Sequence, residues 1–211
     1  EKINTHHNNK IINFFTKLKY SHSAFLKELL RNDLNIHLLD KMLKSGKIDI
    51  NHLDENNQTF LHITLIKGKF EAANWLMKNN IDIDVVDNYN NTALHLAINQ
   101  KNNPIIKKLL LINDNQLNEK NSHGRTLLQN AVIKGEHEIA EILLEFGADI
   151  NSIDNFGKNV MFDALSFGDE NFIYRLLEFG NLELNDMFLN KETVMKHIEV
   201  TRHDELISNL I

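Results

Sequence analysis

Apolar residues occur along this chain in short helical bursts rather than long runs, and the bursts recur. Aligned on Thr59, Thr92, Thr126, Asn159 and Thr193, the chain repeats at intervals of 33, 34, 33 and 34 residues. Two residues after each anchor stands a large apolar residue: Leu61, Leu94, Leu128, Met161 or Met195. Five residues before the first four stands Asp54, Asp87, Asn121 or Asp154. Paired apolar residues follow further on, at Trp75-Leu76, Leu109-Leu110, Leu143-Leu144 and Leu176-Leu177. A period of this length marks a repeat array, in which each unit buries its apolar face only against its neighbours.

Within one period the pattern reads as two short helices and an arm. The anchor Thr or Asn is suited to cap a helix, because its side-chain oxygen meets free amides of the first turn. Helix A then runs over 60–67 in the second unit, Gly68 allows a tight turn, and helix B follows over about 70–78. In the fourth unit Gly147 is placed to end helix B in a left-handed cap, and Ala148-Asp149-Ile150-Asn151 alternates as an extended arm does. These helices are shorter than the ~12–15 residues at which an isolated helix is marginal in water, so they depend on stacking.

The same phase extends upstream. Asp49-Ile50-Asn51 precedes Asp82-Ile83-Asp84 by one period, which predicts a degenerate first repeat over 20–53. Its helix A carries Phe25, Leu26, Leu29 and Leu30, and its helix B Ile36, Leu39, Met42 and Leu43. Before it, Ile11, Ile12, Phe14, Phe15 and Leu18 form an apolar helical face, read as an N-terminal cap over 1–19, with a partner-binding amphipathic helix as the alternative. Four repeats follow at 54–86, 87–120, 121–153 and 154–186, then a partial repeat over 187–211. The whole is expected to be one cooperative domain.

The residues so aligned resemble the ankyrin repeat. Asn91-Thr92-Ala93-Leu94-His95-Leu96-Ala97 is similar to the first half of that motif, and Gly135-Glu136-His137-Glu138-Ile139 through Gly147-Ala148-Asp149-Ile150-Asn151 to the second. The resemblance implies an all-α solenoid of stacked helix–turn–helix units with short β-turn or hairpin arms. It further implies a non-enzymatic scaffold that binds a protein or peptide on the concave turn-tip and helix A face. Several positions depart from the motif. The Pro after the anchor is absent in every repeat, the motif His survives as His62 and His95 but gives way to Gln129 and Phe162, and Lys101 and Arg202 replace turn glycines. One-residue insertions fall near 113–117 and 180–184. Weaker local order is expected at these departures.

Composition narrows the functional classes. The chain is 42% hydrophobic and 25% charged, with net charge -6. This argues against a nucleic-acid backbone as partner, since such binders usually present a basic field. The 31 asparagines of the 211 residues are scattered among patterned apolar positions, not gathered in a low-complexity tract. With no cysteine, disulfides, thiolate-bound zinc and thiol nucleophiles are excluded. No apolar run has membrane-spanning length, and Glu1 to Lys10 lacks the layout of a signal peptide. A cytoplasmic monomer is expected, with a secreted effector as the alternative.

Eleven histidines raise the question of a metal. His6 and His7 are adjacent in a polar tail. His62 and His95 stand one period apart at the motif position, where the resemblance implies a structural bridge between turns. His137 has Glu141, not His, at i+4, so the zincin pattern is missing. The carboxylate pairs Asp82/Asp84, Asp149/Asp154 and Asp169/Glu170 fall at repeat-bound turn positions, not in a pattern that points to one cleft. No phosphate-binding loop or nucleophile elbow is present. No catalytic residue, metal or cofactor is therefore expected.

Partner contacts are expected on one face. Carried over by repeat position, the tips contribute Glu55 and Gln58, Asn88, Tyr89 and Asn91, His123 and Arg125, and Phe156 and Lys158. The ends of helix A contribute Ile66, Lys67, Gln100, Ile133, Lys134 and Phe167. Aromatic and aliphatic residues edged by cations would suit a segment with apolar anchors and acidic flanks. The alternative is that Phe156 and Phe167 fold inward. A second functional reading makes the chain the regulatory or targeting arm of a larger enzyme or secreted effector.

Overall fold

The computed structural model describes residues 21–167 and 170–179. The expected N-terminal cap, the C-terminal partial repeat with Thr193, Met195 and Arg202, and the insertion near 180–184 lie outside them. The described residues form ten helices and no strand: α1 His22–Leu29, α2 Ile36–Lys44, α3 Phe60–Ile66, α4 Phe70–Lys78, α5 Ala93–Asn99, α6 Asn103–Ile112, α7 Leu127–Ile133, α8 His137–Glu145, α9 Val160–Phe167 and α10 Glu170–Glu178. These are the paired helices A and B of five successive repeats. Two compact units divide the chain between Leu109 and Leu110, inside α6.

The anchors act as the pattern requires. The side chains of Thr59, Thr92 and Thr126 accept from the amides of His62, His95 and Gln129, and the side chains of those three residues accept the anchors' own amides at 3.2–3.4 Å. Two orphan donors are thereby satisfied at each helix start. Asn159 Oδ1 takes the Phe162 amide at 3.1 Å to start α9.

The turn into helix B is held by two backbone bonds. At Gly135 these are Gly135 N–H to Val132 O and Glu136 N–H to Ala131 O, both 2.9 Å. Lys101 makes the equivalent turn with φ of 52°, its amide reaching Ile98 O at 2.9 Å. The lost glycine therefore leaves the turn intact, because these hydrogen bonds hold a residue with a Cβ in the left-handed region. The insertion near 113–117 forms an Asx turn at Asn113, whose Oδ1 accepts the Asn115 amide, and Leu117 is buried.

In the first unit the core is built on Phe25, Leu29, Leu39, Leu61, Leu65 and Leu76, all fully buried. Phe25 meets Phe60 edge-on at 5.0 Å, and Trp75 donates its indole N–H to Asp40 at 3.1 Å. Ile36, expected on the apolar face of its helix, stands exposed at the first position of α2. The second unit centres on Leu128, Leu143, Met161 and Leu176, with the His137 ring stacked on Phe172 at 4.3 Å. Each fully buried Leu contributes about 1.5–3 kcal/mol. Burial of this kind is what helices of seven to ten residues depend on.

The glycines separate two kinds of constraint. Gly124 and Gly135 both have positive φ, but a Cβ on Gly135 would meet nothing within 4 Å. On Gly124 it would fall 2.7 Å from the Asn155 backbone nitrogen and against its side chain. Gly135→Ala is expected to cost about 1 kcal/mol from backbone strain. Gly124→Ala should cost at least ~1–3 kcal/mol more from overpacking. Denaturant unfolding of both variants checks the order, and equal losses would refute the close packing at Gly124.

Candidate functional site

In each unit the turn tips share one construction. In the first tip Asp54 Oδ1 accepts the amides of Asn56 and Gln58, both at 2.8 Å, while the Asp54 amide bonds Gln58 O at 3.0 Å. Asp87 does the same for Tyr89 and Asn91, Asn121 for His123 and Arg125, and Asp154 for Phe156 and Lys158. A left-handed residue closes each loop: Asn57, Asn90, Gly124 or Gly157. Asn tolerates this conformation because its short polar side chain bonds locally.

Tips also join within each unit. In the first, Asn88 N–H donates to Asn56 O at 3.0 Å; in the second, Asn155 N–H donates to His123 O at 3.1 Å. Behind them His62 Nδ1 accepts the Thr59 amide, which leaves Nε2 to donate to Asn91 O at 3.1 Å, 29 residues on. Gln129 fills the same role: its Oε1 takes the Thr126 amide and its Nε2 donates to Lys158 O at 2.8 Å. The change from His to Gln thus preserves the brace, against the expectation of weaker order. Phe162 makes no such bond; its ring instead carries the Lys158 ammonium 4.5 Å from its centroid.

Charge is fixed in the scaffold of the tips. Burial pushes the Asp87 carboxyl up, but the Asn91 and Tyr89 amides and the Asn91 side chain outweigh it and hold the group below its ordinary value. Asp154 is likewise held low, with Arg125 Nε 3.2 Å from its Oδ2. Asp163, on α9, is different. It is 6% exposed and its Oδ2 has no hydrogen-bond partner. Burial raises it to about 6, with Arg125 and Lys158 opposing and Asp154 adding. The periodic pattern hides it, because its position holds Ile63, Leu96 and Asn130 in the preceding repeats.

The sequence-derived face divides into exposed and engaged residues. Tyr89 is 76% and Phe156 61% exposed, so Phe156 does not fold inward. Glu55, Ile66, Lys67, Asn88, Gln100, His123 and Lys134 are exposed; Gln58, Asn91, Ile133, Arg125 and Lys158 are half-buried. The Phe167 side chain lies outside the described residues. Arg125 and Lys158 are therefore occupied by Asp154 and Phe162, whereas Lys67 and Lys134 extend into solvent. Leu53, Val86 and Ile153, each just before a tip Asp, are also exposed. Their constant phase, six residues before Thr59, Thr92 and Asn159, is the signal in the sequence that marks them. Among the described residues no group of three or more His, Asp or Glu is placed to hold a metal, and no helix is long and apolar enough to cross a membrane.

A family model described as ankyrin repeats, in three copies, matches residues 18–113 and 99–187. The chain belongs to the ankyrin-repeat family. The ankyrin repeat typically binds protein partners and is typically non-catalytic. Among curated proteins the chain is similar to the phosphocholine transferase AnkX of Legionella pneumophila, 28% identical over 135 residues, which are 62% of this chain and 14% of that protein. It is also similar to the human transient receptor potential cation channel subfamily A member 1, 28% identical over 177 residues, 80% of this chain and 16% of the channel. The human 2-5A-dependent ribonuclease is 46% identical over 48 residues, 22% of this chain and 6% of that enzyme. The chain thus spans a small fraction of the relatives it matches.

Two outcomes follow from the braces of these ankyrin repeats. His62→Gln is expected to stay within about 1 kcal/mol of the parent, because Gln129 already makes both bonds, while His62→Ala strands a buried amide and carbonyl at about 2–3 kcal/mol. Equal unfolding free energies for the two variants would contradict the brace. Asp163 binds a proton in the folded state between its ordinary 3.8 and about 6, where the unfolded state does not. Stability is therefore lost as pH rises through that window, by up to about 3 kcal/mol. Asp163→Asn should be more stable than the parent at pH 7 and equal to it below pH 4, as read from unfolding curves at both pH values.

Proposed function

We propose that this chain is a non-enzymatic ankyrin interaction module that grips a protein or peptide on the turn tips and adjoining helix A ends of its units. The observation that carries this reading is the exposure of Tyr89 and Phe156 on loops braced by Asp87 and Asp154. Large rings held in water by pre-ordered loops lose little entropy on binding, and aromatic anchors supply most of the energy at interfaces. Ile66 and Leu53 extend the apolar surface in the first unit, and Ile153 in the second. Lys67 and Lys134 favour acidic flanks on the partner. The module works as a monomer in the cytoplasm, without cofactor, membrane insertion or nucleic acid.

A second reading makes the chain the regulatory or targeting arm of a larger enzyme or secreted effector. The small share of each relative that it spans favours this: 14%, 16% and 6%. The complete reading frame distinguishes the two, since a catalytic region elsewhere in the protein supports the second.

The binding face is tested with Tyr89→Ser and Phe156→Ser, using Glu138→Lys on the exposed side of α8 as control. A partner recovered by affinity capture and then titrated against each purified variant should bind the two serine variants at least about ten-fold more weakly. Their melting temperatures should stay within about 2 °C of the parent, because both rings are exposed. Unchanged affinity in the double serine variant, with loss in Glu138→Lys, would move the binding face elsewhere.

A further inference from the structure

Two of the arms between repeats are tied by the same kind of bond, and its acceptor changes at the first arm. The amide of Asp82 donates to Asn51 Oδ1 at 2.8 Å, and the amide of Asp149 donates to Asn118 Oδ1 at 2.8 Å. In both cases a side-chain amide from the preceding repeat holds the arm, and such a group does not titrate. At the corresponding Asp49 the acceptor is His22 Nε2, at 3.1 Å. We propose that His22 is a proton-controlled clasp that holds the first arm, residues 49–52, against α1 when neutral and releases it when protonated.

The geometry makes the clasp sensitive. A ring nitrogen accepting an N–H has no proton, so protonating Nε2 removes the bond and sets two donors against each other. The His22 ring also stacks on His52 at 3.9 Å with 13° between planes, so charge on one ring is opposed by charge on the other. Phe60 of α3 lies 6.1 Å from the His22 ring centroid. With Leu26, Ile63, Gln58 and the two imidazoles it lines a groove of about 230 Å³ in which His22 is half-buried. Among the described residues, the titratable groups around His22 are Asp49 and His52 on the arm and Asp54 on the first tip, and α3 contributes Phe60 and Ile63 to the groove. Burial first, then His52, pull the imidazole below its ordinary 6.5, with Asp49 opposing. The neutral clasp is therefore complete above 6.5 and lost as pH falls through the lowered value.

Release would pass along the first unit. Asp49 Oδ1 accepts the Asn51 amide at 2.9 Å, Asn51 Oδ1 holds Asp82, and Asp82 Oδ1 accepts the Asp84 amide at 2.9 Å. Each link orients the next acceptor. The parallel stack directs the ring nitrogens outward in their planes instead of toward one point, so the pair is not arranged to chelate a metal.

The test is amide exchange of the 211-residue chain followed from about pH 7.5 down to about 4.5, corrected for the intrinsic rate. Protection of the Asp49 amide is expected to fall at least about ten-fold on acidification, while that of Asp149, held by Asn118, changes less than about two-fold. In His22→Gln, whose carbonyl can accept the same amide without titrating, the fall at Asp49 should be less than about two-fold. In His52→Phe, which keeps the stack but removes the facing charge, the fall should remain but shift to higher pH, because His52 no longer lowers the His22 imidazole. Asp49 protection that is flat in the parent, or a full fall that persists in His22→Gln, would overturn the clasp. A His22→Gln chain that melts at the parent temperature at pH 7.5 confirms that the comparison reads the proton and not damage to the fold.

Discussion

Everything in these repeats depends on the fact that a helix of seven to ten residues cannot persist by itself. Apolar burial between neighbours supplies the energy, but it does not define register. Register comes from a few buried polar side chains that reach across a repeat boundary to a backbone group. His62 reaches Asn91 O and Gln129 reaches Lys158 O, both 29 residues on. A buried polar group left without its partner is costly, so these bonds penalise any slip of one repeat against the next. The two residue types are interchangeable here because each presents an acceptor and a donor about one side-chain width apart.

The same constraint explains how the exposed face acquires its rigidity. Tip loops are short and polar, and in isolation they would sample many shapes. Each is instead closed by an Asx residue that captures two amides, and the second tip of each unit hangs on the carbonyl of the first. Where the loop carries an aromatic residue, as at Tyr89 and Phe156, the ring is held in solvent by backbone bonds to which it contributes nothing. Free choice of side chain on a fixed loop is what allows one repeat family to serve many partners, and it is why fold alone does not name the partner.

Polar groups that do not serve the brace stand out against this background. Asp163 is buried where earlier repeats place Ile63 or Leu96, and no hydrogen bond compensates its Oδ2. His22 stands where an asparagine side chain serves two of the arms further along. Both exchange a neutral, non-titrating group for a titratable one. They make acid–base behaviour a property of the two units separately, with opposite signs: acid loosens the first arm and relieves the buried carboxyl of the second unit.

By itself the sequence determined the repeat, its phase, the helix pairs, the capping anchors and the family. These follow from spacing, since period, cap and turn residues act over a few positions whose chemistry is local. It also determined that Tyr89 sits on a tip, because tip positions count from the anchor. Only the tertiary structure decided which tip residues are free. Arg125 and Lys158 read as available cations along the chain, but Asp154, 29 residues from Arg125, and the Phe162 ring occupy them. Phe156 had two readings in the sequence and one in the fold. The burial of Asp163 and the stacking of His22 on His52 were likewise invisible, because each depends on contacts between segments that no linear spacing encodes. Local chemistry is legible along a chain; partnership across a repeat boundary exists only once the repeats have stacked.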